Sequence, residues 1–228
     1  MRVAIVGFGK MGHAIRDLAV RQGHEIAAEI DLGQLSQQAL KGADVAIEFT
    51  QPDAAVDNLL KLAGWKVPTV CGTTGWYGKL PDVHSSFEKT RSALVYAPNF
   101  SIGVQLFFRA ALELGKALKR QTGFDAQLVE THHKAKKDAP SGTAWALREA
   151  LRAQDPARDY FITCIRAGEV PGTHEMRIEG AGESLLLQHQ AHDRNIFAAG
   201  ALTAARWLTE RPRQGVFTLE QVLFGSDA

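Results

Sequence analysis

The sequence predicts an α/β protein: a doubly wound parallel sheet carrying an inserted α+β domain with a mixed, mostly open sheet. Three observations lead there. Short apolar runs alternate with helix-length segments through the first hundred residues, as βαβ crossovers require. A glycine-rich turn joins the first such run to its helix. Three later strand-like runs follow one another without helices between them.

The first strand is the apolar run Val3 to Val6, and Gly7 to Gly12 turn into a helix with Met11, Ile15, Leu18 and Gln22 on helical spacing. Gly23 caps it, and Glu25 to Ile30 forms a second strand ending at Asp31. Only 13 positions separate Asp31 from Asp44, too few for a full crossover helix. Asp44 to Thr50 is the third strand, and Pro52 opens a helix to Leu62. Val67 to Cys71 and Ala93 to Tyr96 are further strands, with a helical stretch around Ser85 to Lys89 between them. A long helix, Val104 to Arg120, then leads to a strand at Phe124 to Thr131, a basic loop, and a helix from Gly142 to Ala153. Tyr160 to Arg166, Thr173 to Glu179 and Leu185 to His192 supply the strands of the second sheet. Ala198 to Leu208 is helical again, and Gly215 to Phe224 follows. The expected division is 1–100 with 195–228 for a Rossmann-type dinucleotide domain, and 101–194 for a substrate and oligomerisation domain.

Length and composition agree. At 228 residues the chain holds about one and a half average domains. A hydrophobic fraction of 45% with 22% charged residues suits a globular core and excludes disorder or low complexity. The formal charge of +1 excludes a global basic field for nucleic acid or anionic membrane. Cys71 and Cys164 form neither a disulfide framework nor a thiolate zinc site. No apolar stretch is long enough for a membrane span or a signal core, so a cytoplasmic setting is expected.

Gly7, Phe8, Gly9, Lys10, Met11 and Gly12 fit G-x-G-x-x-G directly after a strand and at a helix start, where backbone N–H groups face a pyrophosphate. Asp31 lies 19 positions after Gly12, the spacing of a carboxylate on the adenosine ribose. A 2′-phosphate beside Asp31 would be repelled, which favours NADH, although Lys10 leaves NADPH open. Phe49, Thr50 and the run Gly72, Thr73, Thr74 fall at the carboxyl ends of parallel strands, where such folds bind ligands.

The densest chemistry is THHKAKKDAPSGTA, Thr131 to Ala144. His132 and His133 leave a strand, three lysines follow, and Pro140 or Ser141 opens a helix whose Gly142 and Thr143 N–H groups are available to an anion. This describes a small-anion site beside a proton donor. A merely solvated lysine loop is the bland alternative. A metal site is less supported, because adjacent strand histidines do not readily share one ion.

His132-His133-x-x-Lys136 followed by DAPSGTA resembles the signature of the 4-hydroxy-tetrahydrodipicolinate reductase family. GTTG at 72–75, APNFSIGV at 97–104, Arg166-Ala-Gly-Glu, Gly172-x-His174 and Arg194 occur in the family's order. The resemblance implies hydride transfer from a nicotinamide to C4 of a cyclic dicarboxylate imine, with loss of water, in the diaminopimelate route to lysine. It implies His132 as general acid/base, Lys136 as second proton donor, and His133, Lys136, Gly142 and Thr143 as carboxylate ligands. It adds Ala97, Pro98, Asn99, Phe100 and Arg194 to the cofactor surroundings, and a homotetramer built through the second-domain sheet. Another small-substrate dehydrogenase and a non-catalytic dinucleotide sensor are the competing readings.

Overall fold

The computed structural model describes residues 1–225; the last three residues of the expected tail assignment lie outside them. Two compact units divide the chain, Met1–Ile102 together with the chain from Asn195, and Gly103–Arg194.

The first unit is built on strands β1 (Arg2–Val6), β2 (Glu25–Ile30), β3 (Val45–Glu48), β4 (Thr69–Cys71), β5 (Ala93–Tyr96) and β10 (Gly215–Thr218). They form one parallel sheet in the order β10-β5-β4-β3-β1-β2. Both faces are covered, which is why the strands read as nearly continuous apolar runs. Val3, Ile5, Val45, Ile47 and Val95 face helices α1 (Lys10–Arg21) and α6 (Asn195–Thr209), whose alanines permit close packing. Alternate positions face the other way: Cys71 and Leu94 pack on Leu59, Val83 and Phe87 of α2 (Pro52–Gly64) and α3 (Leu80–Thr90). Chain order reverses at β1, which has β2 on one side and β3 on the other. That switch point opens a crevice at the carboxyl ends of the strands.

The 31–44 connection holds turns but no helix, as its length dictates. The helix expected around Ser85 to Lys89 is longer, because Pro81 sits in its first turn and a 3₁₀ turn, Tyr77–Lys79, leads into it. After β10 comes a short helix, α7 (Leu219–Phe224), opened by a capping box between Thr218 and Gln221.

The second unit carries α4 (Ile102–Leu118), β6 (Asp125–His132), α5 (Gly142–Gln154), β7 (Ile162–Arg166), β8 (Gly172–Gly180) and β9 (Glu183–Ala191). Its sheet runs β7-β6-β8-β9, with β6 parallel to β7 and antiparallel to β8. On one face Leu128, Met176 and Ile178 pack against Phe107, Ala111, Leu147 and Leu151 of α4 and α5. Arg158 ties the ends of these elements, pairing with buried Asp155 and donating to the carbonyls of Leu118, Gln121 and Phe124.

Candidate functional site

In the first unit, β1 ends in the glycine turn. Gly7 has φ +94°, and its N–H donates to the Ile30 carbonyl at 2.8 Å. A Cβ on Gly7 would stand 2.1 Å from the Phe49 carbonyl oxygen, and one on Gly12 would stand 2.5 Å from the Gly7 oxygen. Gly9 has open space instead. One glycine makes the turn, one leaves room for a ligand, and one lets helix pack on strand. The first turn of α1 carries no acidic residue, so its unpaired N–H groups keep their attraction for an anion.

A cavity of about 360 Å³ lies over this turn, lined by Gly9, Lys10, Met11, Phe49, Thr50, Gly72, Thr73 and Thr74 together with Pro52. The strand-end residues expected at a cofactor site thus converge. Gly72 is required there, since the Phe49 ring lies where its Cβ would be. Phe8 and Asp31 border the region without lining the cavity. Phe8 stacks on His13 with centroids 4.2 Å apart, and exposed Asp31 follows directly after Ile30. Ala97 is pinned to the Cys71 carbonyl through its N–H, Pro98 is exposed, Asn99 accepts from the Ser101 N–H at 2.9 Å, and Phe100 is buried. Arg194 is an exposed turn residue after β9.

Sequence reasoning missed Glu48. Fully buried, it accepts from the Thr50 hydroxyl and from the Cys71 thiol at 3.1 Å. The Thr50 N–H in turn donates to the Thr73 hydroxyl at 2.7 Å. One carboxylate therefore ties the two loops that line the cavity. Burial, reinforced by the Glu48 charge, pushes the Cys71 thiol well up, so it stays protonated. The available signal was the carboxylate in the middle of the run VAIEFT, flanked by apolar residues.

In the second unit, strand register builds the site. Glu130 stands opposite Cys164 on β7 and His174 on β8, and His132 stands opposite Arg166. The Arg166 guanidinium donates to Glu130 at 2.7 Å and to the Asp138 carbonyl at 2.6 Å. The Ser141 N–H donates to Glu130 at 3.0 Å. His132 Nδ1 lies 3.0 Å from the other Glu130 oxygen, and its ring meets His174 edge-on at 5.2 Å. Ser141 caps α5, accepting from the Ala144 N–H at 3.2 Å, and contacts His174 Nε2 at 3.3 Å.

Burial alone raises the Glu130 pKa, but the Ser141 and Arg166 donors and the Cys164 thiol outweigh it and bring it down to about 2. Burial lowers His132; Glu130 and Asp138 oppose that, and Lys136 and Arg166 reinforce it. His174 is pushed down to about 4, first by burial and then by His132. A histidine depressed from 6.5 to about 4 stabilises the fold above pH 6.5, and that contribution drains away as pH falls toward 4. Denaturant unfolding between those pH values is expected to show the loss in the wild type and a flatter profile in His174→Gln. Equal slopes would remove His174 from the account.

The second-unit residues expected in the site divide three ways. His132 is buried among these groups, and half-buried His133 follows it in the chain but stands outside their hydrogen-bond network. Lys136 pairs with Asp138 at 2.8 Å. Gly142 and Thr143 open α5 directly behind its Ser141 N-cap. The Asp138 carboxyl is drawn below its usual range first by Lys136, with the Gly142 backbone a minor contributor. Ligand atoms of Glu130, His132 and His174 lie within 4.8 Å of one another, a trio that sequence spacing hid. Arg166 already supplies the positive charge on that carboxylate.

A glycine turn at a parallel-sheet switch point and a buried acid–base cluster on a second sheet together define a two-unit α/β oxidoreductase. The chain belongs to the dihydrodipicolinate reductase family, matching the family's N-terminal region over residues 1–100 and its C-terminal region over residues 103–223. It is 32% identical over 236 residues to a 4-hydroxy-tetrahydrodipicolinate reductase from Christiangramia forsetii, covering 98% of each chain. Against the reductase of the same name from Thiobacillus denitrificans it is 33% identical over 266 residues, again covering 98% of each. A dipicolinate-bound dihydrodipicolinate reductase structure from Paenisporosarcina sp. TG-14 shares the fold, with TM-score 0.82 and 22% identity over 97% of this chain and 98% of that one.

Proposed function

We propose that the protein reduces 4-hydroxy-tetrahydrodipicolinate to tetrahydrodipicolinate with NADH or NADPH in the diaminopimelate route to lysine. The reading rests above all on the His132–Glu130–Arg166 cluster beside the lysine loop and the α5 start, set on a chain of this family. A nicotinamide, when bound, would supply the hydride for C4 of the dehydrated ring. The chain's own residues then have three tasks. The α1 turn and the strand-end loops at Phe49 and Gly72 hold the dinucleotide. Lys136, His133, Gly142 and Thr143 hold the two carboxylates of the substrate. His132 and Lys136 manage the protons.

The cofactor preference rests on Asp31, whose carboxylate accepts from ribose hydroxyls and opposes a 2′-phosphate, with Lys10 the offsetting cation. Charge balance at Glu130 is assigned to Arg166 rather than to a metal ion. A homotetramer through the second sheet is supported by exposed Phe161, Ile165 and Leu186 on its strands or at their ends. Among the described residues no helix is long and apolar enough to cross a membrane, and Cys71 and Cys164 are free thiols, which suits a cytoplasmic setting.

Purified protein is expected to oxidise NADH or NADPH only with freshly generated pyruvate–aspartate-semialdehyde condensation product, and pyridine-2,6-dicarboxylate is expected to compete with it. Absence of turnover with either cofactor would overturn the activity. Absence of competition would reassign the Lys136–Gly142 anion site. Running both cofactors in parallel reads the preference directly.

A further inference from the structure

We propose that Glu130 is the positioning residue of the reaction: it holds His132 in the Nδ1–H tautomer, so that Nε2 is the nitrogen that exchanges protons with substrate. The inference rests on the reading of His132 as acid/base and adds how that histidine is set for the task.

Glu130 is fully buried, and a carboxylate in that position has to be charge-compensated. Arg166 at 2.7 Å and the Ser141 N–H at 3.0 Å both take one oxygen, and the second oxygen faces His132 Nδ1 at 3.0 Å. An ionised carboxylate only accepts, so the neutral imidazole has to carry its proton on Nδ1. That contact misses hydrogen-bond geometry, so Nδ1 and the facing oxygen, both buried, have no hydrogen-bond partner until the ring turns into line. Catalytic hydrogen bonds in unliganded sites commonly align only when substrate closes on them. On the other side of the ring, Gly172 keeps space clear: a Cβ there would stand 3.1 Å from Nε2. The remaining groups around the ring are cationic or neutral, apart from Asp138. Lys136 and Arg166 oppose a charged imidazole, and His174 packs edge-on from β8. Glu130 also grips the N-cap of α5 through the Ser141 N–H, so one carboxylate sets both the imidazole and the helix start at Gly142.

The test is heteronuclear NMR of the imidazole nitrogens, assigned with His132→Gln, combined with steady-state kinetics on the full chain. Wild type is expected to show His132 as the Nδ1–H tautomer at neutral pH. Glu130→Gln is expected to mix the tautomers and lower kcat about 10–100-fold, with substrate KM and dinucleotide affinity within about twofold. Glu130→Asp should recover part of both signals. A wild-type Nε2–H tautomer overturns the proposal, and that measurement needs no variant. Full kcat in Glu130→Gln overturns it too, as does a kcat loss with unchanged tautomer and a matching fall in thermal stability, which would mark a purely structural role. Failure of the acid/base reading is separate: full kcat in His132→Ala would remove the histidine from the chemistry while leaving the tautomer result standing.

Discussion

His132→Ala is expected to lower kcat by about 10²–10⁴-fold while dinucleotide affinity is unchanged. The expectation follows from position. His132 is the buried imidazole that register aligns with Arg166 and that Glu130 meets at Nδ1. The residues proposed to hold the dinucleotide belong to the other unit, at the turn after β1 and the cavity over it, so the loss should fall on kcat. Initial rates give kcat, and fluorescence titration with NADH gives affinity. Unchanged kcat would pass the proton chemistry to Lys136, whose partner in the structure is Asp138.

Gly7→Ala is expected to act on the opposite end of the reaction, through binding and stability. The new methyl group would stand 2.1 Å from the Phe49 carbonyl oxygen, on a backbone with φ +94°. Overpacking of this kind costs about 1–3 kcal/mol, and a left-handed alanine about 1–2 kcal/mol more. β1 and β3 meet at this point, so they must separate to accept it. Thermal unfolding should shift down by on the order of 10 °C, and NADH affinity should fall with it. A variant with native melting and native affinity would show that the turn has slack the packing does not reveal.

Much of this was legible in the sequence because it is written locally. Apolar runs of four to six residues, the glycine turn, and Pro52 at a helix start each report on their own neighbourhood. The same holds for the spacing from Gly12 to Asp31 and for the DAPSGTA helix start. What was hidden is register. Nothing in the order of residues says that Glu130 faces Cys164 and His174, or that Arg166 comes beside Glu130 from 36 positions away. Glu48 and Glu130 were visible only as carboxylates interrupting strands, and their roles depend on partners that the sheets deliver.

The Lys136–Asp138 pair bears on how affinity at the proposed site should be understood. Lys136 is paired with Asp138 at 2.8 Å, so the cation proposed to bind substrate already has a negative partner. A substrate carboxylate taking Lys136 would do so by exchange, one negative group for another. Its measured affinity is then the difference between two similar contacts rather than the full worth of either. Single-carboxylate metabolites gain little from such a swap. A ring bringing two carboxylates would gain a second set of contacts for one displacement, which is how the proposed site would favour dianions over monoanions.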